Sequence, residues 1–254
     1  MRQIAITNQK GGTAKTTTTV NLAVALAELG HTVLVIDLDP QASTTDWLDA
    51  TDVEQGAFEL LTSPSRLEEM AIPTGIQGLD IVPANPPLKG VERALARDVA
   101  AELTLRQRLK TSTSRWDYVL VDTPPTLGLL TLNALSAVGE LIVPVEAHVM
   151  ALSGVVQLEQ AIATVRDRLN PDLRVAGVVA CRVDRRTRHA AEVIDSLRRK
   201  FNCLMYRTEI RENVRLAEAP SFRQSILQYA PTSSAAIDYR ALALEVVQQE
   251  MASG

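Results

Sequence analysis

"KGGTAKTTTT" (residues 10–19) has the small residues, lysines and hydroxyls of a phosphate-binding loop, yet departs from the common G-x-x-x-x-G-K-[ST] pattern. Counted back from Lys15, the two glycine positions hold Gln9 and Ala14. The setting of the stretch says more than its letters. "IAIT" (4–7) precedes it as a strand, and Val20, Ala23, Val24 and Ala27 follow at helical spacing, with Gly30 where a C-terminal cap belongs. A loop between a strand and a helix aims successive backbone N–H groups and the positive helix end at an anion. Gly11 and Gly12 give the freedom for close approach, Lys15 a charge for the β and γ phosphates, and Thr16 a hydroxyl for Mg²⁺. Lys10 is the unusual residue. It meets phosphates of its own subunit only awkwardly, but it can extend to a partner's nucleotide as an arginine finger supplied in trans does.

Outward from the loop, apolar runs recur with helical segments between them: "TVLVIDLD" (32–39), "LDIVPA" (79–84), "YVLVD" (118–122), "ELIVPVEA", "VAGVVAC" and "CLMYRTEI". Most are continuous rather than alternating, as strands covered on both faces are. The expected fold is α/β: a single doubly wound, mostly parallel sheet flanked by helices, occupying 1–254 as one domain. Residues 49–78 are the least regular and read as an exposed helical excursion. Residues 235–251 read as a packed closing helix, with Ile237, Ala241 and Leu244 on one face and Tyr239, Leu242 and Val246 beside them. Asp39 and Asp122 fall at the C-terminal ends of predicted strands, the edge on which open α/β sheets collect ligands.

At 254 residues and 46% hydrophobic content the chain can bury a substantial core. Cys181 and Cys203 lie in apolar stretches and are expected as buried, reduced thiols, while His31, His148 and His189 share no ligand spacing. Trp47 and Trp116 are expected to pack rather than stack on bases. No charged leader with an apolar core opens the sequence and no run of about 18 apolar residues follows, so a cytoplasmic protein is expected. The net charge of −4 argues against nucleic acid, but its distribution does not. Between Arg182 and Arg223 there are 11 Lys and Arg against six Asp and Glu, leaving 15 against 24 elsewhere, which is how a basic face on an acidic protein reads.

Lys10, Gly11, Gly12, Lys15 and Thr16 match K-G-G-x-G-K-[ST], and by them the chain resembles the deviant phosphate-loop ATPases, in particular the ParA and Soj partition family. "VLVIDLDPQAS" resembles that family's switch I, with Asp39 at the aspartate that helps position the attacking water. "YVLVDTPPTLGLLTLNAL" resembles its switch II, with Asp122 at the carboxylate near Mg²⁺. "NPPLKGVERAL", "RENVRLAEAPSF" and "AIDYRALALEVV" resemble further family segments, so the likeness covers nearly all of 1–250. It implies catalytic roles for Lys10, Lys15, Asp39 and Asp122. It implies a nucleotide loop of Lys10, Gly11, Gly12, Thr13, Ala14, Lys15, Thr16 and Thr17, an adenine near Cys181, Arg182, Ile210 and Asn213, and Mg²⁺ at Thr16, Asp39 and Asp122. Ala14 stands where the family has glycine. A φ below zero there tolerates the methyl group; a positive φ strains the loop by about 1 kcal/mol, with slower hydrolysis as the expected consequence.

The same resemblance implies an ATP-dependent homodimer that binds DNA without sequence preference on the nucleoid and is released when a ParB-like partner stimulates hydrolysis. Phosphate neutralisation by the basic segment suits such binding. The expected contacts are Arg185, Arg186, Arg188, Arg198, Arg199, Lys200, Arg215 and Arg223, the last beside Gln224, which replaces a lysine of the family's "SFGKP". No helix-turn-helix arm precedes the first strand, so operator repression is not expected. Family relatives that position carboxysomes leave a protein cargo as an alternative. A MinD-like membrane helix is disfavoured, because 235–251 contain one Arg against Asp238, Glu245 and Glu250. A nitrogenase-iron-protein role would require cysteines near the switch segments, and a scaffold that hardly turns over remains open on account of Ala14.

Overall fold

The computed structural model describes residues 1–112, 115–147 and 151–253, with side chains except at 151–157, 189 and 251–253. The apolar runs become strands β1 (Arg2–Ile6), β2 (Val33–Asp37), β3 (Ile72–Pro73), β4 (Leu79–Val82), β5 (Tyr118–Asp122), β6 (Glu140–Glu146), β7 (Arg174–Val183) and β8 (Met205–Arg211). They form one sheet in the order β3-β4-β2-β5-β1-β6-β7-β8, parallel throughout except for β3 against β4. The helices between them are α1 (Lys15–Glu28), α2 (Ser43–Trp47), α3 (Ala57–Thr62), α4 (Leu67–Met70), α5 (Val91–Ala94), α6 (Thr104–Thr111), α7 (Leu129–Ala137), α8 (Ala151–Arg168), α9 (Arg188–Phe201), α10 (Val214–Glu218), α11 (Ile226–Tyr229) and α12 (Ser234–Ser253).

Period-two alternation sorts each strand between two cores. Ile4 and Ile6 of β1, with Val33 and Val35 of β2, pack against α1, α11 and α12. Ala5, Leu34 and Ile36 face the opposite layer of α3, α6, α7 and α9. Both faces are buried, so the strands read as unbroken apolar runs. β1 lies at the centre with α1 rising from its C-terminal end, between β5 and β6, and this puts the loop at 7–14 at the point where chain direction across the sheet reverses.

Three expectations need correction. The irregular segment 49–78 does contain short helices, α3 and α4, but Ala57, Leu60, Leu61, Leu67 and Met70 are buried, so it packs on the sheet rather than standing out from it. It also supplies β3, which at two residues is too short for any periodicity to register. On α12 Tyr239, Leu242 and Val246 are fully buried as expected, whereas Ile237 and Leu244 are exposed at 54% and 48%, because only one stripe of the helix meets α1 and β8. Cys181 is buried, but Cys203 sits exposed in the turn after α9. Trp47 and Trp116 are packing residues, at 4% and 2% exposure. His148 and the His189 side chain lie outside the described residues.

Both sheet edges are closed. β3 covers β4 with Pro73, which has no N–H to offer. On the other side the β8 amides of Arg207 and Thr208 donate to Glu245 of α12 at 2.9 and 2.8 Å, and Arg211 N–H donates to Asp238 at 3.0 Å. Among the described residues no helix is long and apolar enough to cross a membrane.

β7 carries a bulge opposite Leu141 and Ile142, and there Gly177 lies under the Tyr206 ring. A Cβ at 177 would stand 2.3 Å from the ring, which is itself buried and tied through its hydroxyl to Gln249. Gly177→Ala is expected to lower stability by about 1–3 kcal/mol, the range for overpacking a filled site, as read by chemical denaturation.

Candidate functional site

The loop between β1 and α1 is held from below. Asn8 donates to Pro144 O at 2.8 Å and accepts from Lys10 N–H at 3.1 Å, while Thr13 Oγ1 and Lys15 Nζ both donate to Lys10 O, at 3.1 and 3.4 Å. Gly11 and Gly12 are exposed with open space where a Cβ would be, and Gly12 has φ 77°. Ala14 is the residue just before α1 and has φ 64°, the left-handed region in which a methyl group is strained. The condition stated for it from sequence therefore resolves on the strained side.

Behind the loop, at the end of β5, Asp122 is fully buried and gathers three hydroxyls. Thr16 Oγ1 and Thr44 Oγ1 donate to its Oδ2 at 2.8 and 2.6 Å, and Thr19 Oγ1 to its Oδ1 at 3.3 Å. Beside it on β2, in register with it, is Asp37, also fully buried. Asp37 accepts from Thr45 N–H and Oγ1 at 2.9 and 2.7 Å and from Asp39 N–H at 3.0 Å. Burial first, and then the neighbouring Asp122 charge, push the Asp37 carboxyl up to about 7. Burial likewise raises Asp122 against the bonds from Thr44 and Thr16. The Lys15 ammonium is held below its ordinary value by desolvation, opposed by attraction to Asp122 and Asp39.

Thr16, Lys15 and Asp122 thus meet as the sequence led one to expect. Asp39 does not join their hydrogen-bond network: it lies two residues past β2, and its Oδ1 accepts from Gln41 N–H at 2.9 Å. Asp37, Thr44 and Thr45 were not singled out from sequence. Their signal was the first carboxylate of "VIDLD", inside the strand rather than after it, and two hydroxyls in the next turn. A buried carboxylate beside a helix-terminal hydroxyl, with oxygen donors throughout, suits Mg²⁺, which uses one or two carboxylates and completes its shell from water and substrate phosphates.

A cavity of about 780 Å³ opens next to the loop, lined by Ala14, Thr17, Arg182, Ile210 and Asn213 among others, with Tyr239 and Cys181 in its wall. The residues assigned to the base from sequence are therefore brought together. Arg185 and Arg186, assigned to DNA, line the same cavity.

The basic segment is largely paired. Arg185 and Arg198 both reach Glu209, at 3.0 and 2.7 Å, Arg186 binds Asp184 at 2.8 Å, and Lys200 binds Glu159 at 3.1 Å. Arg223 binds Asp49 and Asp46, at 2.6 and 3.1 Å. Arg188, Arg199 and Arg215 are exposed and carry no ion pair among the described residues.

An eight-stranded α/β sheet with a glycine-containing loop leading into its first helix, and with a buried carboxylate beneath that helix, defines a phosphate-loop NTPase. A family model described as an AAA domain matches residues 1–175. The chain is 45% identical to the chromosome-partitioning ATPase Soj of Thermus thermophilus, over 97% of this chain and 96% of that one. It is 40% identical to the sporulation initiation inhibitor protein Soj of Bacillus subtilis, over 96% and 97%. Among solved structures, cobyrinic acid a,c-diamide synthase from Mycobacterium smegmatis with bound ATP analogue and magnesium superposes with a TM-score of 0.87 at 31% identity, covering 100% of this chain and 97% of that one. The protein belongs to the Soj/ParA family of chromosome-partitioning ATPases, with ATP and Mg²⁺ as its cofactors.

Two consequences are measurable. Because burial raises the Asp37 carboxyl to about 7, its own contribution to stability without nucleotide or metal should be lost as pH rises from 3.8 to about 7, so the melting temperature of Asp37→Asn, followed over that range, should lack the fall that this group imposes on wild type. Ala14→Gly should relieve about 0.5–1 kcal/mol of loop strain, raising the melting temperature by about 1–3 °C in calorimetry.

Proposed function

We propose that residues 1–254 form one ATPase domain that dimerises on ATP, binds DNA of any sequence in that state, and segregates a plasmid or chromosome region with a ParB-like activator. The observation that carries this reading is the meeting of Lys15, Thr16 and Asp122 under a loop that keeps a second lysine, Lys10, outside the network. Lys10 uses only its backbone groups to brace the loop, and among the described residues no carboxylate pairs with its ammonium. It is therefore available to a second subunit's nucleotide.

In this reading the amides of 11–17 and the Lys15 ammonium hold the β and γ phosphates, and the cavity beside Arg182, Ile210 and Asn213 takes the adenine. Mg²⁺ would be held by Thr16 and Asp122, with Asp39 near it, and would supply neutralisation of the phosphate oxygens. Asp39 orients the attacking water, and Lys10 from the facing subunit offsets charge that grows as the γ-phosphoryl leaves. Face-to-face closure brings Arg188, Arg199 and Arg215 of both subunits onto one surface, where they bind DNA through phosphates alone and are sensitive to salt. The partition function named for the Thermus thermophilus Soj supports this assignment at 45% identity, above the 31% shared with the amide synthase. A cytoplasmic, nucleoid-associated protein follows from it.

DNA binding by wild type, Lys10→Ala and Asp39→Ala, each with ATP, with ADP and without nucleotide, tests the reading. Wild type should bind an unrelated duplex only with ATP, Lys10→Ala should not bind, and Asp39→Ala should remain bound longer. Binding that ignores nucleotide, or no binding, overturns it.

A further inference from the structure

α2 is only five residues long, yet it is gripped at both ends by different parts of the molecule. On its inner side Thr44, fully buried, donates its hydroxyl to Asp122, the carboxylate that also receives Thr16. Thr45 next to it bonds Asp37 and accepts the Ala84 amide at 2.8 Å, which anchors the turn to the sheet. On its outer side Trp47 Nε1 donates to the Gln224 carbonyl at 2.6 Å, and Asp46 and Asp49 take the Arg223 guanidinium between them. Arg223 and Asp49 both sit at positive φ, 51° and 54°, so each is presented by a tight backbone turn.

We infer that α2 is a strut coupling the nucleotide site to the DNA surface, with Thr44 as a positioning residue at one end and Arg223 as a phosphate-binding residue masked by Asp46 and Asp49 at the other. This rests on the DNA-binding reading above. Any change at Asp122 that draws on the Thr44 hydroxyl moves a helix too short to bend, and the motion arrives at Asp46, Trp47 and Asp49. The outer pairs suit exchange. Their side chains are 49%, 60% and 64% exposed, and exposed pairs are individually weak. A DNA phosphate offers the guanidinium the same two-oxygen geometry as a carboxylate. Linkage then runs both ways: DNA that takes Arg223 from α2 alters nucleotide affinity by the factor by which nucleotide alters DNA affinity.

The test measures DNA affinity by fluorescence anisotropy with ATP, with ADP and without nucleotide, for wild type, Asp46→Asn/Asp49→Asn, and a charge-matched control, Asp52→Asn/Glu54→Gln, which leaves the Arg223 pairs intact. Unmasking should raise affinity without ATP by about threefold to tenfold and leave the ATP state nearly unchanged, so that gating shrinks. The control should shift every state alike. In a Trp116→Phe background Trp47 is the sole tryptophan, and its emission should respond to ATP with Mg²⁺ and, separately, to DNA; Thr44→Val should abolish the first response. An unmasking variant that behaves as the control does, or a Trp47 signal indifferent to both ligands, overturns the inference while leaving ATP-gated DNA binding intact. A wild type that binds DNA equally in every nucleotide state overturns the proposed function instead, and the Trp47 response to ATP with Mg²⁺ still decides whether α2 follows Asp122.

Discussion

Two carboxylates buried side by side at the ends of neighbouring strands are the constraint on which the rest of the site depends. Asp37 and Asp122 face each other in register between β2 and β5, both fully out of water. Like charges in such a place are costly unless hydrogen-bonded and balanced. The run of threonines after Lys15, the threonine pair in α2 and the desolvated Lys15 ammonium all serve that need. Two carboxyls held this close and this dry resist ionising together, and a divalent cation carried in with a phosphate ligand favours the charged form of both.

The architecture was legible because a parallel sheet covered on both sides writes itself as continuous apolar runs, and seven of the strands could be read in this way. β3 could not, since two residues carry no period. The phosphate loop was legible from position, a strand before it and a helix after it. Asp37 was hidden because, inside a strand, a carboxylate reads as an interruption, and only the register with Asp122 shows that the two belong together. Thr44 and Thr45 carry no signal of their own in the sequence, because only the placement of α2 brings their hydroxyls to Asp122 and Asp37.

Charge counting was the least faithful guide. The excess of arginine between 182 and 223 is present in the sequence, and Asp184 and Glu209 within that window pair with part of it, but further partners come from outside: Asp46 and Asp49 from the α2 region, Glu146 from β6, Glu159 from α8 and Asp238 from α12. What the folded surface offers an anion is therefore smaller than the linear tally: Arg188, Arg199, Arg207 and Arg215 are exposed and carry no ion pair among the described residues. Carboxylates distant in sequence help to set it, and a local window misses those.

The closed edges of the sheet have a bearing on how copies of this chain assemble. Pro73 blunts one side, and Glu245 and Asp238 occupy the amides of β8 on the other. These features oppose continuation of the backbone ladder from one molecule into the next, the route by which sheet proteins harden into permanent fibrils. Any contact between two copies would then rest on side chains, and such a contact is undone as readily as the charges and shapes that make it.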